Sequence, residues 1–91
     1  MRYTIFYSPE SKKVLAKYKK SSPIAIKKII KLIPELMEHP RSGTGHPEPL
    51  KGGEGTTYSR RISANDRVIY DIDDENSTVN ILSIQGHYSD K

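Results

Sequence analysis

Ninety-one residues with 34% hydrophobic side chains make one domain with a lean core, because so short a chain cannot divide its apolar residues between two interiors. The absence of cysteine excludes disulfides, thiolate metal sites and a cysteine nucleophile. No apolar stretch approaches the roughly 18 residues a membrane helix requires. The net charge of +4 hides an asymmetry: residues 1–34 carry nine Lys/Arg against Glu10 alone, whereas residues 35–91 carry six basic and ten acidic residues.

In chain order, Tyr3-Thr4-Ile5-Phe6-Tyr7 is β-branched and aromatic and reads as a strand. The segment from Met1 turns polar too soon for a signal peptide, which points to a soluble cytoplasmic chain. Ser8-Pro9-Glu10 is a helix start: a hydroxyl cap, a proline where its missing N–H costs nothing, and an acid at the positive dipole end. Val14, Leu15 and Tyr18 recur at helical spacing among lysines. Ser22-Pro23 repeats the start signal, and Ile26, Ile29, Ile30, Ile33 and Met37 keep to one face of a second helix. Pro34 cannot donate to the carbonyl of Ile30, so a kink or break is expected there, with a stop at His39-Pro40. The two basic helices are expected to form an antiparallel hairpin.

Residues 41–57 hold five glycines and several prolines and read as a largely irregular loop. Strand-like alternation follows over Tyr58–Ser63, Arg67–Asp73 and Thr78–Gln85, separated by Ala64-Asn65-Asp66 and Asp74-Glu75-Asn76 turns. The sum is a single α+β domain spanning residues 1–91. Its antiparallel sheet, the N-terminal strand plus a three-stranded meander, packs against two N-terminal helices. Alternation puts Val68, Tyr70 and Ile72 in the core and Arg67, Ile69 and Asp71 on the open face.

Three groups of residues carry candidate chemistry. Glu48 sits between two prolines, which hold it extended and stiff, a state that suits a positioned base as well as a solvated surface acid. His87-Tyr88 follows the last strand, a position from which a histidine can reach over the open face or stand simply exposed to solvent. Arg60, Arg61 and Arg67 flank the first meander turn; arginine's planar fork matches phosphate oxygens, and ion pairs with Asp66, Asp71 or Asp73 are the competing use. The N-terminal lysines fit a polyanion, since neutralising phosphates releases condensed counterions, but they equally serve to solvate helix faces. His39, His46, His87 and Glu48 show no metal-ligand spacing, so neither a metal nor another cofactor is expected.

The segments "GxGHPEPLKG", "YSRRISANDRVIYDID" and the closing "HY" together resemble the YoeB/Txe toxins of the RelE superfamily, and the likeness runs from the first strand to Tyr88. The resemblance implies the RelE-like fold and the toxin of a type II toxin–antitoxin pair, cleaving translated mRNA in the ribosomal A site. Carried over motif by motif, the glutamate of PEPLK is Glu48, a general base; the arginine opening RVIY is Arg67, which stabilises the phosphate. The closing histidine is His87, a general acid, and Tyr88 is its auxiliary. Lys51 and Arg61 become phosphate or mRNA contacts, and Tyr58 an aromatic for stacking on a base. The chemistry needs no metal: the RNA's own 2′-hydroxyl is the nucleophile, and a 2′,3′-cyclic phosphate is the product. Lys13, Lys17 and Lys20 then become ribosome contacts. A YefM/Axe-like antitoxin with an acidic segment, the 70S ribosome with its mRNA, and a second copy of the chain are the implied partners. Three rivals stay open: a same-fold gyrase poison of the ParE branch, an RNA-binding module without chemistry, and a component active only as half of a complex.

Overall fold

A computed structural model describes residues 2–43, 47–50, 56–63 and 66–85. The elements run β1 (Thr4–Tyr7), α1 (Pro9–Ser21), α2 (Pro23–Glu38), β2 (Glu48–Pro49), β3 (Thr57–Arg61), β4 (Arg67–Asp73) and β5 (Thr78–Gln85). Ser8 caps α1 as its sequence suggests: in extended conformation, its Oγ accepts from the Ser11 N–H at 3.0 Å. The same hydroxyl donates to the Leu82 carbonyl at 2.8 Å, tying the helix start to β5. Val14 and Tyr18 are the apolar residues that α1 buries.

The second helix departs from expectation in three ways. Ser22 occupies its N-cap position but makes no side-chain cap bond. Pro34 neither breaks nor ends it, and the helix continues to Glu38. The reason is position: Pro34 lies on the exposed side, and Ile30, whose carbonyl it leaves unpaired, is 63% exposed, so water can take that bond. The buried face is accordingly rotated from the predicted one, centring on Ala25, Ile29, Leu32 and Leu36, with Ile26, Ile33 and Met37 only half-buried.

The five strands form one sheet in the order β1-β5-β4-β3-β2. Two corrections to the predicted sheet follow. The first strand pairs parallel with β5, from Thr4 opposite Thr78 to Tyr7 opposite Ile81, so the sheet is mixed rather than antiparallel. Pairing this way places Ile5 and Tyr7 on the core face beside Val79 and Ile81. The expected irregular loop also contributes a strand, β2, which pairs antiparallel with β3. Two prolines are tolerated there because β2 is an edge strand.

The β4 and β5 boundaries match the predicted alternation, except for one register shift. Ile69 faces Ser83 and Tyr70 faces Ile81, so Leu82 is an extra residue without a partner on β4. Both helices pack on the face formed by Val68, Tyr70, Ile72, Val79, Ile81 and Ile84. Among the described residues the other face carries no helix, and no helix is long and apolar enough to cross a membrane.

Candidate active site

The open face is read from the register. Residues directly opposite across antiparallel strands share a face, and faces alternate along each strand. Glu48 lies opposite Ser59, Ser59 opposite Ile69, and Ile69 opposite Ser83, which makes one row across the sheet. The next row holds Arg61, Arg67 and Gln85. The exposed Glu48, Arg61 and Arg67 therefore stand together on the helix-free face. Strands are spaced by about 4.8 Å and residues along them by about 3.4 Å, which puts the backbones of Glu48 and Arg67 roughly 12 Å apart. Both side chains are long enough to converge on a group placed between them.

Arg61 directly opposite Arg67 is an unfavourable pairing in itself, since like charges across a strand pair repel. Among the described residues neither has an ion-pair partner. Asp71, four residues beyond Arg67 on the same face, is instead held by the hydroxyls of Thr56 (2.7 Å) and Thr57 (3.1 Å). Asp73 is held by the backbone and side chain of Asn76, which keeps its carboxyl below the usual range. Two adjacent guanidinium groups without counter-ions are what an anion site requires.

Arg60 is the exception among the three arginines. The alternation that sends Arg61 to the open face sends Arg60 to the helix side, where it is fully buried. Its guanidinium pairs with Glu35 at 3.1 Å, donates to the carbonyls of His39 and Ser42 at 2.8 Å each, and lies 5.9 Å from the centre of the Tyr70 ring. Arg60 does not belong to the basic surface cluster. Tyr58 is in the same phase: half-buried, its ring stacks on Tyr70 with centroids 6.1 Å apart, on the face away from Glu48.

The remaining candidates divide by location. Lys13, Lys17 and Lys20 are exposed along α1, in the helical layer across the sheet from Glu48. Lys51, His87 and Tyr88 lie outside the described residues. Sequence reading missed a groove of about 330 Å³ between α2 and β3, lined by Lys28, Lys31, Leu32, Glu35, Arg61 and Ile62. Its only advance signal was the spacing of Lys28 and Lys31 on one helical turn. Among the described residues no cluster of three or more His, Asp or Glu has the geometry of a metal site.

Two helices on one face of a mixed sheet, with arginines and a strand-held glutamate on the other, define a toxin of the RelE-like fold. The chain belongs to the YoeB-like toxins of bacterial type II toxin–antitoxin systems, whose family model matches residues 7–88. Toxin YoeB of Mycobacterium bovis is 39% identical over 62 residues, 68% of this chain and 71% of that one. Toxin YoeB of Escherichia coli strain K12 is 36% identical over 63 residues, 69% and 73% of the two chains. Among solved structures, the YoeB/ParE toxin from Agrobacterium tumefaciens superposes with a TM-score of 0.83 at 27% identity, over 93% of this chain and 99% of that one. The YoeB dimer from Staphylococcus aureus gives 0.82 at 29%, over 97% and 100%. The heterotetrameric YoeB–YefM complex from the same organism gives 0.79 at 30%, over 97% and 100%. Toxins of this family are generally endoribonucleases.

Proposed function

We propose that this toxin is a ribosome-dependent endoribonuclease that cuts translated mRNA in the A site by metal-independent acid–base chemistry. The observation that carries the reading is the gathering of Glu48, Arg61 and Arg67 on one face, the two arginines directly opposed and, among the described residues, without counter-ions. In the proposed step Glu48 takes the 2′-OH proton and the 2′-oxygen attacks the adjacent phosphorus. Arg67, with Arg61 opposite it and Lys51 as a further phosphate contact by the family likeness, stabilises the charge on the phosphoryl oxygens. The bond to the 5′-oxygen breaks as His87 protonates that oxygen, with Tyr88 assisting. The products are a 2′,3′-cyclic phosphate and a 5′-hydroxyl. Each proton transfer contributes roughly 10²–10⁴-fold.

The partners follow the same reading. Relatives have been solved as a YoeB dimer and as YoeB–YefM complexes, and this chain is proposed to pair with an antitoxin of that kind, offering an acidic segment, and to dimerise. Lys13, Lys17 and Lys20 are proposed to grip ribosomal RNA from α1.

The test is induction of the wild type and of Glu48→Ala, Arg67→Ala and His87→Ala in bacteria, followed by primer extension on a translated message. Cuts that need translation and vanish in the variants support the reading. Growth arrest without cuts would instead favour gyrase poisoning. A 2′,3′-diol with a 5′-phosphate at the cut ends would sink the mechanism.

A further inference from the structure

The most completely bonded polar group on the helix side is Arg60, and none of its bonds is needed merely to hold the sheet together. Two of them go to main-chain carbonyls, of His39 and Ser42, in the segment that leaves α2. A third goes to Glu35 on the last turns of α2. Its Nε lies 3.4 Å from the Tyr70 hydroxyl, which itself donates to the carbonyl of Pro40 at 2.6 Å. Three closely spaced anchor points, residues 39, 40 and 42, are thus tied to β3 and β4 through buried side chains.

The segment is also fitted closely to this cluster. Gly43 has φ +113°, and a Cβ placed on it would stand 2.6 Å from the Glu35 carboxylate and 3.4 Å from the Arg60 guanidinium. Only glycine allows the chain to pass so near the ion pair. From Gly43 the sequence has four residues to go before Glu48, so the anchor is five Cα steps, each about 3.8 Å at most, from the strand that bears Glu48. That strand meets the anchor's own strand from the other side: Glu48 is registered against Ser59, the neighbour of Arg60, and Leu50 N–H donates to the Thr57 carbonyl at 2.9 Å.

We propose that Arg60, with Tyr70, is a positioning residue: from the buried side of the sheet it fixes the segment 39–43 and so sets where the Glu48 carboxylate stands on the open side. This deepens the nuclease reading and rests on it. The two-residue edge strand that carries the carboxylate is paired on one side with the strand of Arg60, and a displacement of about 1 Å at a catalytic group costs on the order of 10²-fold in rate.

The experiment uses Arg60→Lys and the milder Tyr70→Phe, which keeps the ring and removes only the hydroxyl, with amide hydrogen exchange and single-turnover cleavage on mRNA-programmed ribosomes. The expected result is faster exchange at Leu50, by about tenfold or more, while the amides of β4 and β5 keep their protection. Cleavage at saturating ribosomes should fall by about 10–100-fold with half-saturation unchanged, more in Arg60→Lys than in Tyr70→Phe. Exchange that rises equally at Leu50 and in β4–β5, or cleavage per folded molecule equal to wild type, would overturn the proposal and leave Arg60 a purely structural ion. Failure of the nuclease reading has a different signature: Glu48→Ala would then cleave like wild type, whatever Leu50 does.

Discussion

Arg60 and Arg61 are adjacent, identical in chemistry, and opposite in use. One is buried among carbonyls, a carboxylate and a tyrosine hydroxyl; the other stands exposed against a second arginine with no counter-ion among the described residues. The period of the strand alone separates them. The comparison shows where this domain uses charge for cohesion and where it tolerates repulsion, and the second place is the one that a polyanion would relieve.

The sharpest way to widen the contrast is through activity. Glu48→Ala and His87→Ala should each lower ribosome-dependent cleavage by roughly 10²–10⁴-fold with thermal stability unchanged, measured on purified toxin by single-turnover kinetics and calorimetry. Arg60→Met should do the reverse in kind. It takes one donor away from each of the carbonyls of His39 and Ser42 and from the Glu35 carboxylate, and unfolding free energy should drop by about 3–5 kcal/mol in a urea titration. Arg61→Ala should instead leave stability equal or slightly higher, since a like-charge cross-strand pair disappears, while RNA affinity falls. Gly43→Ala should destabilise by about 1–3 kcal/mol through its positive φ and the crowding against Glu35.

The smallest effect concerns the other edge of the sheet. Asp74 accepts from Arg41 at 2.7 and 3.2 Å and from the Tyr3 hydroxyl at 2.6 Å, which hold its carboxyl below the usual range. A depressed carboxyl contributes stability that is fully present above its unfolded value, about pH 4, and is lost as pH falls through the folded one. Asp74→Asn should therefore flatten part of the acid limb of stability against pH. The pair is exposed, so the change should be modest.

How much of this was legible beforehand depends on whether local rules or tertiary context decided the outcome. Ser8-Pro9 announced α1, and the alternation of β4 announced both the core trio and the outward Arg67, because caps and strand period are local. The burial of Arg60 was within reach, since Ile62 shares its phase, but its partners come from α2 and the following segment, far off in sequence. The passage of α2 through Pro34 could not be read, because it depends on which side of the helix meets water. The parallel partnership of β1 is equally non-local, as is the pairing of β2 that puts Glu48 in its row.

That parallel partnership bears on the order in which the chain can assemble. Ser8 bonds to Leu82 across 74 positions, and among the described residues β1 pairs in the sheet with β5 alone. The first strand to leave the ribosome must therefore wait for the last one, and closing so distant a contact is slow. Until residues 78–85 emerge, neither the sheet nor the start of α1 is complete, so a chain still being translated is kept from becoming a finished toxin.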